Sequence, residues 1–209
     1  MLLVQRLAGY GLNVSAPEVF TATLAGAEAA RQAGYRVVAP FVPELALADL
    51  ADMELCGGTS GYPPGVPDAV LMGDLGQKWS YALLQEAFEY VMSGSALIAL
   101  SRDRYWLRDG KLALDAGPFV AGLEFAVGKE AVVAGKPSAA FYTAAVRSMG
   151  LETGKSVAMV GDDLWSDIQG AQRAGLSGWL VRTGKYRESG LAESDIVPDR
   201  ILESVAALG

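Results

Sequence analysis

Three aspartates lie within six residues of one another in the segment VGDDLWSD, at Asp162, Asp163 and Asp167. An apolar run at 156–160 precedes them and is predicted to be a β-strand, and a helix is predicted directly afterwards. Carboxylates this close repel one another unless a cation lies among them, and oxygen ligands favour a hard ion such as Mg²⁺. The segment therefore predicts a magnesium site formed by these three residues. The alternative is that one aspartate caps the helix and the others are solvated.

A lysine occupies the equivalent position after another predicted strand. In the segment VAGKPSAAF, Lys136 follows an apolar strand at 131–134 and precedes a helix that Pro137 can begin. If this strand and 156–160 are neighbours in a parallel sheet, the ammonium group points into the same crevice as the aspartates. A cation site beside a lysine that can hold an anion is what phosphoryl transfer requires. The alternative is an exposed lysine beside a helix start, without a function.

The elements that position these residues alternate between strands and helices. From residue 117 onward the sequence predicts helices at 118–127, 138–149, 166–174 and 199–208, separated by strands at 131–134, 156–160 and 178–182. Upstream it predicts helices at 1–12, 24–34 and 78–92, strands at 18–23, 35–41, 68–73 and 96–100, and a hairpin at 104–114 that turns at Asp109-Gly110. This alternation predicts an α/β protein with a parallel sheet between helices, preceded by a smaller α/β unit.

The composition excludes several classes of protein. The 209 residues carry a formal net charge of −7 and include no histidine, so neither nucleic-acid binding nor histidine-based catalysis is expected. The single cysteine, Cys56, cannot form an internal disulfide and is typical of a reducing cytoplasm. The sequence begins without a signal-peptide pattern and has no apolar run of about 18 residues, so no membrane span is expected. A cytoplasmic protein that acts on a small molecule is predicted.

Both motifs resemble those of the haloacid dehalogenase (HAD) superfamily of hydrolases. GKP at 135–137 is similar to the third motif of that superfamily, and GDDLWSD at 161–167 is similar to its fourth. The stretches at 104–126 and 180–187 resemble the branch with a large, C2-type cap in mid-chain that contains the phospholysine phosphohistidine inorganic pyrophosphate phosphatase. The resemblance implies a HAD-like Rossmannoid core, with a parallel sheet and helices on both faces, together with an α/β cap domain.

The resemblance also implies a role for each residue of the two motifs. Lys136 is implied to contact the phosphate of the substrate, and Asp162 to ligate Mg²⁺ directly. Asp163 and Asp167 are implied to support the metal through water or hydrogen bonds. The implied activity is that of a phosphatase, a phosphoric monoester hydrolase that acts on small phosphorylated compounds through an aspartyl-phosphate.

The same resemblance divides the chain into three parts. Residues 1–22 are predicted to be a remnant of the N-terminal core, 23–115 the cap domain, and 116–209 the C-terminal part of the core. Arg102 and Arg104 lie where the cap of the family reaches towards the substrate, so both are candidate contacts for an anionic leaving group. A solvated hairpin is the alternative for these two arginines.

The sequence departs from the family at its nucleophile. A D-x-D/S-G-T string, which carries the nucleophilic aspartate in the family, occurs nowhere in the 209 residues, and 1–12 resemble the helix that follows the second motif. Asp103 and Asp109 lie in the predicted cap hairpin, which is the wrong place for a nucleophile. We therefore expect an N-terminally truncated phosphatase without its first core strands, whose uncovered apolar surfaces favour self-association into a homo-oligomer.

Two other classes of protein are alternatives to a truncated enzyme. A catalytically inactive remnant could bind metal, phosphate or a protein partner through the same residues. A phospho-accepting receiver domain also combines an acidic pair with a lysine, but there the acidic pair comes first. Here Lys136 precedes Asp162, and this order disfavours a receiver domain.

Overall fold

The computed structural model describes residues 2–108 and 110–208. The helices are α1 Leu2–Gly9, α2 Ala22–Gln32, α3 Tyr81–Met92, α4 Gly117–Val127, α5 Ala139–Ser148, α6 Gly170–Arg173 and α7 Glu188–Ala192, and a π-helical segment, Leu164–Gln169, continues directly into α6. The strands are β1 Val37–Phe41, β2 Glu54–Leu55, β3 Ala69–Met72, β4 Ala96–Ala99, β5 Tyr105–Arg108, β6 Lys111–Leu114, β7 Val132–Val133, β8 Ala158–Gly161, β9 Ser177–Val181 and β10 Arg200–Leu202. None of the helices described is long and apolar enough to cross a membrane.

Five parallel strands form the larger sheet, in the order β2-β1-β3-β4-β7. Its central strands, β1, β3 and β4, are apolar and almost entirely buried, as expected for parallel strands that are covered on both faces. Phe41 and Met72 pack on the side of α3 and α4, whereas Val38 and Leu71 pack on the side of α2. The alternation of these side chains along the strands produces the two layers of core.

Three further strands form a smaller parallel sheet, in the order β10-β9-β8. Met159 of β8 packs with α5 and α6, and Leu180 of β9 packs with Leu164 and Ile168 of the π-helical segment. Helix α5 contacts both α6 and α2, so it joins the layers of the two sheets. The predicted α/β class, with parallel sheets and helices on their faces, is confirmed.

The strand that leads to Lys136 belongs to the larger sheet. It pairs with β4 through Ile98↔Val132 and Ala99↔Val133, whereas the sequence placed it beside the strand at 156–160. Helix α4 likewise packs against α3 of the larger sheet. The pairing partner of a strand of two residues is set by long-range packing, which its own sequence does not encode. The division at residues 22 and 115 stays a prediction, and the larger sheet extends beyond it to residue 133.

Two elements differ from their predicted type. The predicted strand at 18–23 is instead the approach to α2, because the Thr21 hydroxyl accepts a hydrogen bond from Leu24 N at 3.1 Å and caps the helix. The predicted helix at 199–208 is wrong in its first part, which is strand β10 and pairs with β9, and only Val205–Leu208 form a short 3-10 helix. A short helix would be marginal by itself, whereas the strand gains hydrogen bonds from an existing sheet.

The hairpin predicted at 104–114 is present. Strands β5 and β6 pair antiparallel, from Tyr105↔Leu114 to Arg108↔Lys111. Asp109, which the sequence places in the turn, lies outside the described residues.

Candidate active site

Three loops at the carboxyl ends of parallel strands form the candidate site. The loop after β7 carries Lys136, the loop after β8 carries Asp162 and Asp163, and the loop after β9 carries Lys185. Asp167 joins them from the π-helical segment. Ligands of open α/β sheets bind beyond the carboxyl ends of the strands, so the fold brings charged side chains of both signs to the place where a ligand is expected.

Lys136 and Asp167 form a direct ion pair between the two motifs. Lys136 Nζ lies 2.7 Å from Asp167 Oδ1, and the side chains are 38% and 4% exposed respectively. The second carboxylate oxygen of Asp167 accepts a hydrogen bond from Asp163 N at 3.1 Å. A buried carboxylate is stable only when it is paired and hydrogen-bonded, so Asp167 acts here as the anchor of the lysine.

Two neighbouring residues keep Asp167 in its place. A Cβ atom at Gly161 would overlap the carboxylate of Asp167, so only glycine fits at the end of β8. The Tyr142 hydroxyl donates a hydrogen bond to the carbonyl oxygen of Ser166, next to Asp167 in the chain. Burial of Tyr142, together with the negative charge of Asp167, raises the pKa of its hydroxyl, which therefore remains a donor.

Asp163 has the capping role that the sequence left open for one of the aspartates. Its Oδ1 accepts hydrogen bonds from Trp165 N at 3.1 Å and from Ser166 N at 2.9 Å, and its Oδ2 lies 2.9 Å from Lys185 Nζ. Burial works to raise the pKa of Asp163, but the hydrogen bonds from Ser166 N and Lys185 outweigh it, so the net pKa is lowered. Asp163 is therefore a carboxylate whose two oxygens both face protein donors.

Lys185 is the residue of this site that the sequence analysis missed. Besides Asp163, its Nζ contacts Asp103 Oδ2 at 2.9 Å, and its backbone N donates to Asp162 Oδ2 at 2.6 Å. The preceding residue, Gly184, has a φ of +56°, and a Cβ there would overlap the carboxylate of Asp162. Lys185, like Lys136, is the lysine of a Gly-Lys pair that follows an apolar strand. This repeated pattern is the feature of the sequence that points to Lys185.

The positive groups among the aspartates are thus the two lysines. In residues 2–108 and 110–208, no group of three or more His, Cys, Asp or Glu side chains is arranged to hold a metal ion. Across these same residues, Asp162 alone of the three aspartates has a carboxylate oxygen, Oδ1, without a protein donor. One such oxygen fits Mg²⁺, which keeps several waters and uses one or two carboxylates plus phosphate oxygens. The residues therefore fit a metal held through Asp162, with Asp163 and Asp167 in supporting positions.

The two candidate arginines differ in their surroundings. Arg102 pairs with Glu124, whose Oε1 also accepts a hydrogen bond from Ala131 N at 2.8 Å, so part of the charge of Arg102 is neutralised. Arg104 is exposed, as Arg102 is, and has no ion pair within the described residues. Of the two, Arg104 is the better placed to meet an anionic group of a ligand.

A cleft of about 620 Å³ opens over this network. Asp162, Asp163, Arg102 and Arg104 line it. Lys136 and Asp167 are not part of its lining, although their chain neighbours Pro137 and Ser166 are. The other charged and aromatic side chains of its wall are Asp103, Lys185, Arg187, Glu193, Tyr105, Trp106, Trp165 and Tyr186. This mixture of aromatic and charged groups suits an organic anion.

Known proteins are similar to this chain in sequence and in fold. The HAD-hydrolase-like family model matches residues 133–208. The haloacid dehalogenase-like hydrolase domain-containing protein 2 of Bos taurus is 37% identical over 185 residues, which are 88% of this chain and 67% of that protein. The chain belongs to the haloacid dehalogenase-like hydrolases.

Further similarities place the chain within this HAD superfamily. The human phospholysine phosphohistidine inorganic pyrophosphate phosphatase is 32% identical over 206 residues, which are 98% of this chain and 72% of that protein. The glycerol phosphate phosphatase of Mycobacterium tuberculosis, solved in complex with magnesium, superimposes with a TM-score of 0.82 at 26% identity, over 99% of this chain and 62% of that one. The chain is thus a HAD superfamily hydrolase close to the pyrophosphate phosphatase branch, with the α/β architecture of that superfamily and its cap.

Proposed function

We propose that this chain supplies the metal- and phosphate-binding side of a Mg²⁺-dependent phosphatase for small phosphorylated compounds. The observation that carries the proposal is the pair of Lys136 with the buried Asp167, linked through Asp163 N to the loop of Asp162. The names of the relatives, which describe phosphatases of phosphorylated amino acids, pyrophosphate and glycerol phosphate, support the same class of substrate. The cytoplasm, in which the free Cys56 stays reduced, is the proposed compartment.

Each residue has a distinct part in this proposal. The Lys136 ammonium gives one donor to Asp167, is 38% exposed, and has further N–H donors for a phosphate oxygen. Asp162 Oδ1 would hold Mg²⁺, which would neutralise charge on the phosphoryl group. Asp163 and Asp167 keep the first two residues in position through their hydrogen bonds. Arg104 contacts an anionic part of the leaving group.

The attacking carboxylate is proposed to come from a segment outside these 209 residues. They contain no D-x-D/S-G-T string, and the aspartate Asp103 of the cleft is bound to Lys185 at 2.9 Å. Within the described residues β8 is an edge strand of the smaller sheet, and a parallel strand added beside it would end at the same loops. The aspartate carried by this added segment would attack phosphorus, form an aspartyl-phosphate and release the alcohol. Water would then hydrolyse the aspartyl-phosphate.

Hydrolysis of an aryl phosphate in the presence of Mg²⁺ tests the proposal. We expect no turnover by the 209-residue chain, and turnover when a nucleophile-bearing N-terminal segment from a relative is joined to it. Lys136→Ala should then abolish the gained activity. Turnover by the short chain that is lost in Lys136→Ala would contradict the external nucleophile. An inactive extended chain that still binds Mg²⁺ and phosphate would indicate the non-catalytic binding module instead.

Calorimetric titration with Mg²⁺ tests the metal position independently of activity. We expect weak binding by the parent chain and none by Asp162→Asn, because Asp162 offers the carboxylate oxygen without a protein donor. Asp103→Asn is the matched control, since Asp103 contacts Lys185 and not the proposed metal position. Equal loss of Mg²⁺ binding in both variants would show that the metal is placed wrongly.

A further inference from the structure

Lys185 connects the two sheets across the cleft. Its Nζ lies 2.9 Å from Asp163 Oδ2, on the loop after β8 of the smaller sheet. It lies equally 2.9 Å from Asp103 Oδ2, on the loop after β4 of the larger sheet. The backbone N of Lys185 also donates to Asp162, so one residue touches three carboxylates from two sheets.

The contacts of Lys185 are sheltered enough to hold their geometry. The side chains of Lys185, Asp103 and Asp163 are 31%, 24% and 16% exposed. Burial works to lower the pKa of Lys185, but its hydrogen bonds to Asp163 and Asp103 outweigh burial and raise it. Charge-assisted hydrogen bonds in partly buried surroundings are stronger and more directional than exposed ones. The ammonium is therefore a fixed link and not a mobile surface charge.

Asp103 connects Lys185 to Arg102 and Arg104, the candidate contacts of a leaving group. It belongs to the rim loop, residues 101–104, which also carries Arg102 and Arg104 and continues into the hairpin strand β5. The backbone of Asp103 is fixed at both ends, because its N donates to Ser101 Oγ at 3.1 Å and its carbonyl accepts from Gly117 N at 3.1 Å. These bonds tie residues 101–104 into one loop, so a shift of the loop carries Asp103 and both arginines together.

We propose that Lys185 is a positioning residue for the leaving-group side of the site. By binding Asp103 and Asp163 together, it sets the distance between the rim loop and the loop of Asp162. An inorganic phosphate needs only Lys136 and Asp162, whereas an organic phosphate also has to reach the rim loop. Lys185 therefore strengthens the binding of organic phosphates more than the binding of inorganic phosphate. The choice of organic phosphates as ligands rests on the proposed function. The role of Lys185 in setting the distance between the two loops does not depend on it.

The first test measures the distance across the cleft with paired spin labels at Lys111→Cys and Glu188→Cys, exposed positions next to its walls. The native Cys56 is 8% exposed, and labelling of the parent chain checks that it does not react. Lys185→Met removes the ammonium and keeps the backbone N–H to Asp162. We expect its distance distribution to broaden and to move to longer distances. An unchanged distribution would overturn the positioning role.

Two control variants separate this role from a general loss of stability. Lys185→Arg keeps the positive charge and should restore the parent distance distribution. Lys155→Met removes an ion pair with Asp199, within the smaller sheet and away from the cleft, and should leave the distribution unchanged. An equal change in Lys155→Met and Lys185→Met would also refute the proposal.

The second test compares two ligands in the presence of Mg²⁺, with the fluorescence of the cleft residues Trp106 and Trp165 as the signal. In Lys185→Met we expect the Kd of inorganic phosphate to stay within about twofold, and that of phenyl phosphate to rise about fivefold, the equivalent of one lost contact. An equal loss for both ligands would mean a merely structural role. If the parent chain binds neither ligand while Lys185→Met still alters the distance, the proposed function fails and the geometric role of Lys185 stands.

Discussion

Removing the ammonium of Lys136 should destabilise the fold far more than removing an exposed lysine. In Lys136→Met the carboxylate of Asp167, which is 4% exposed, keeps only the hydrogen bond from Asp163 N. Breaking a fully buried ion pair from one side costs about 3–5 kcal/mol, because an uncompensated charge remains. Lys136 itself is 38% exposed, so water can reach part of the site, and we expect about 2 kcal/mol.

Thermal unfolding followed by circular dichroism measures this cost. For a chain of this size, 1 kcal/mol corresponds to roughly 2–4 °C, so the Tm of Lys136→Met should fall by about 4–8 °C. The matched control is Lys155→Met, whose pair with Asp199 has side chains 61% and 34% exposed. An exposed pair contributes about 0–1 kcal/mol, so this variant should melt close to the parent.

A second substitution at Asp167 identifies the cause of the loss. If the cost arises from an unpaired buried charge, Lys136→Met combined with Asp167→Asn should be more stable than Lys136→Met alone, because the double variant buries no charge. An equal fall in Tm for Lys136→Met and Lys155→Met, or a double variant that is the least stable of all, would show that no unpaired buried charge causes the loss.

Three more predictions concern two glycines, the pH dependence of stability and the extent of the part of the chain that contains the larger sheet. Gly161→Ala should lower the free energy of unfolding by about 1–3 kcal/mol because it overpacks against a buried carboxylate, whereas Gly122→Ala, in open space on helix α4, should raise it by about 0.5–1 kcal/mol. Chemical denaturation measures both changes, and changes of the same sign would contradict the geometry. Burial and neighbouring carboxylates raise the pKa of Asp115, so the ionised carboxylate opposes folding above that pKa. Asp115→Asn should therefore raise the Tm near about pH 7, and this gain should vanish towards about pH 3, where the carboxyl is protonated in both states. A gain in Tm that is independent of pH would count against this cause. A fragment of residues 22–134 should melt cooperatively and one of residues 22–114 should not, because the shorter fragment lacks β7 and α4, and calorimetry of both decides it.

The sequence alone was sufficient for the fold class and for the two motifs. Strands of a parallel sheet are rich in apolar residues and alternate with amphipathic helices, so 68–73, 96–100 and 156–160 could be recognised from local composition, although the last is a half-buried edge strand. The short polar segments after such strands lie at one end of a sheet, and on this ground the sequence predicted a common site for Lys136 and Asp162, although their strands belong to two different sheets. Both inferences need only local sequence and the general geometry of α/β proteins.

The tertiary structure decided which charges meet. The sequence predicted a metal ion among the aspartates, whereas Asp167 pairs with Lys136 and Asp163 pairs with Lys185. It also assigned Asp103 to the cap hairpin and gave it no role in the site, although Asp103 shares the ammonium of Lys185. These contacts join residues that are 31, 22 and 82 positions apart, and the first and the last of them connect the two sheets. Local propensity and spacing carry no information on such pairs, because their partners are fixed by which strand pairs with which and by the packing of the helices between the sheets.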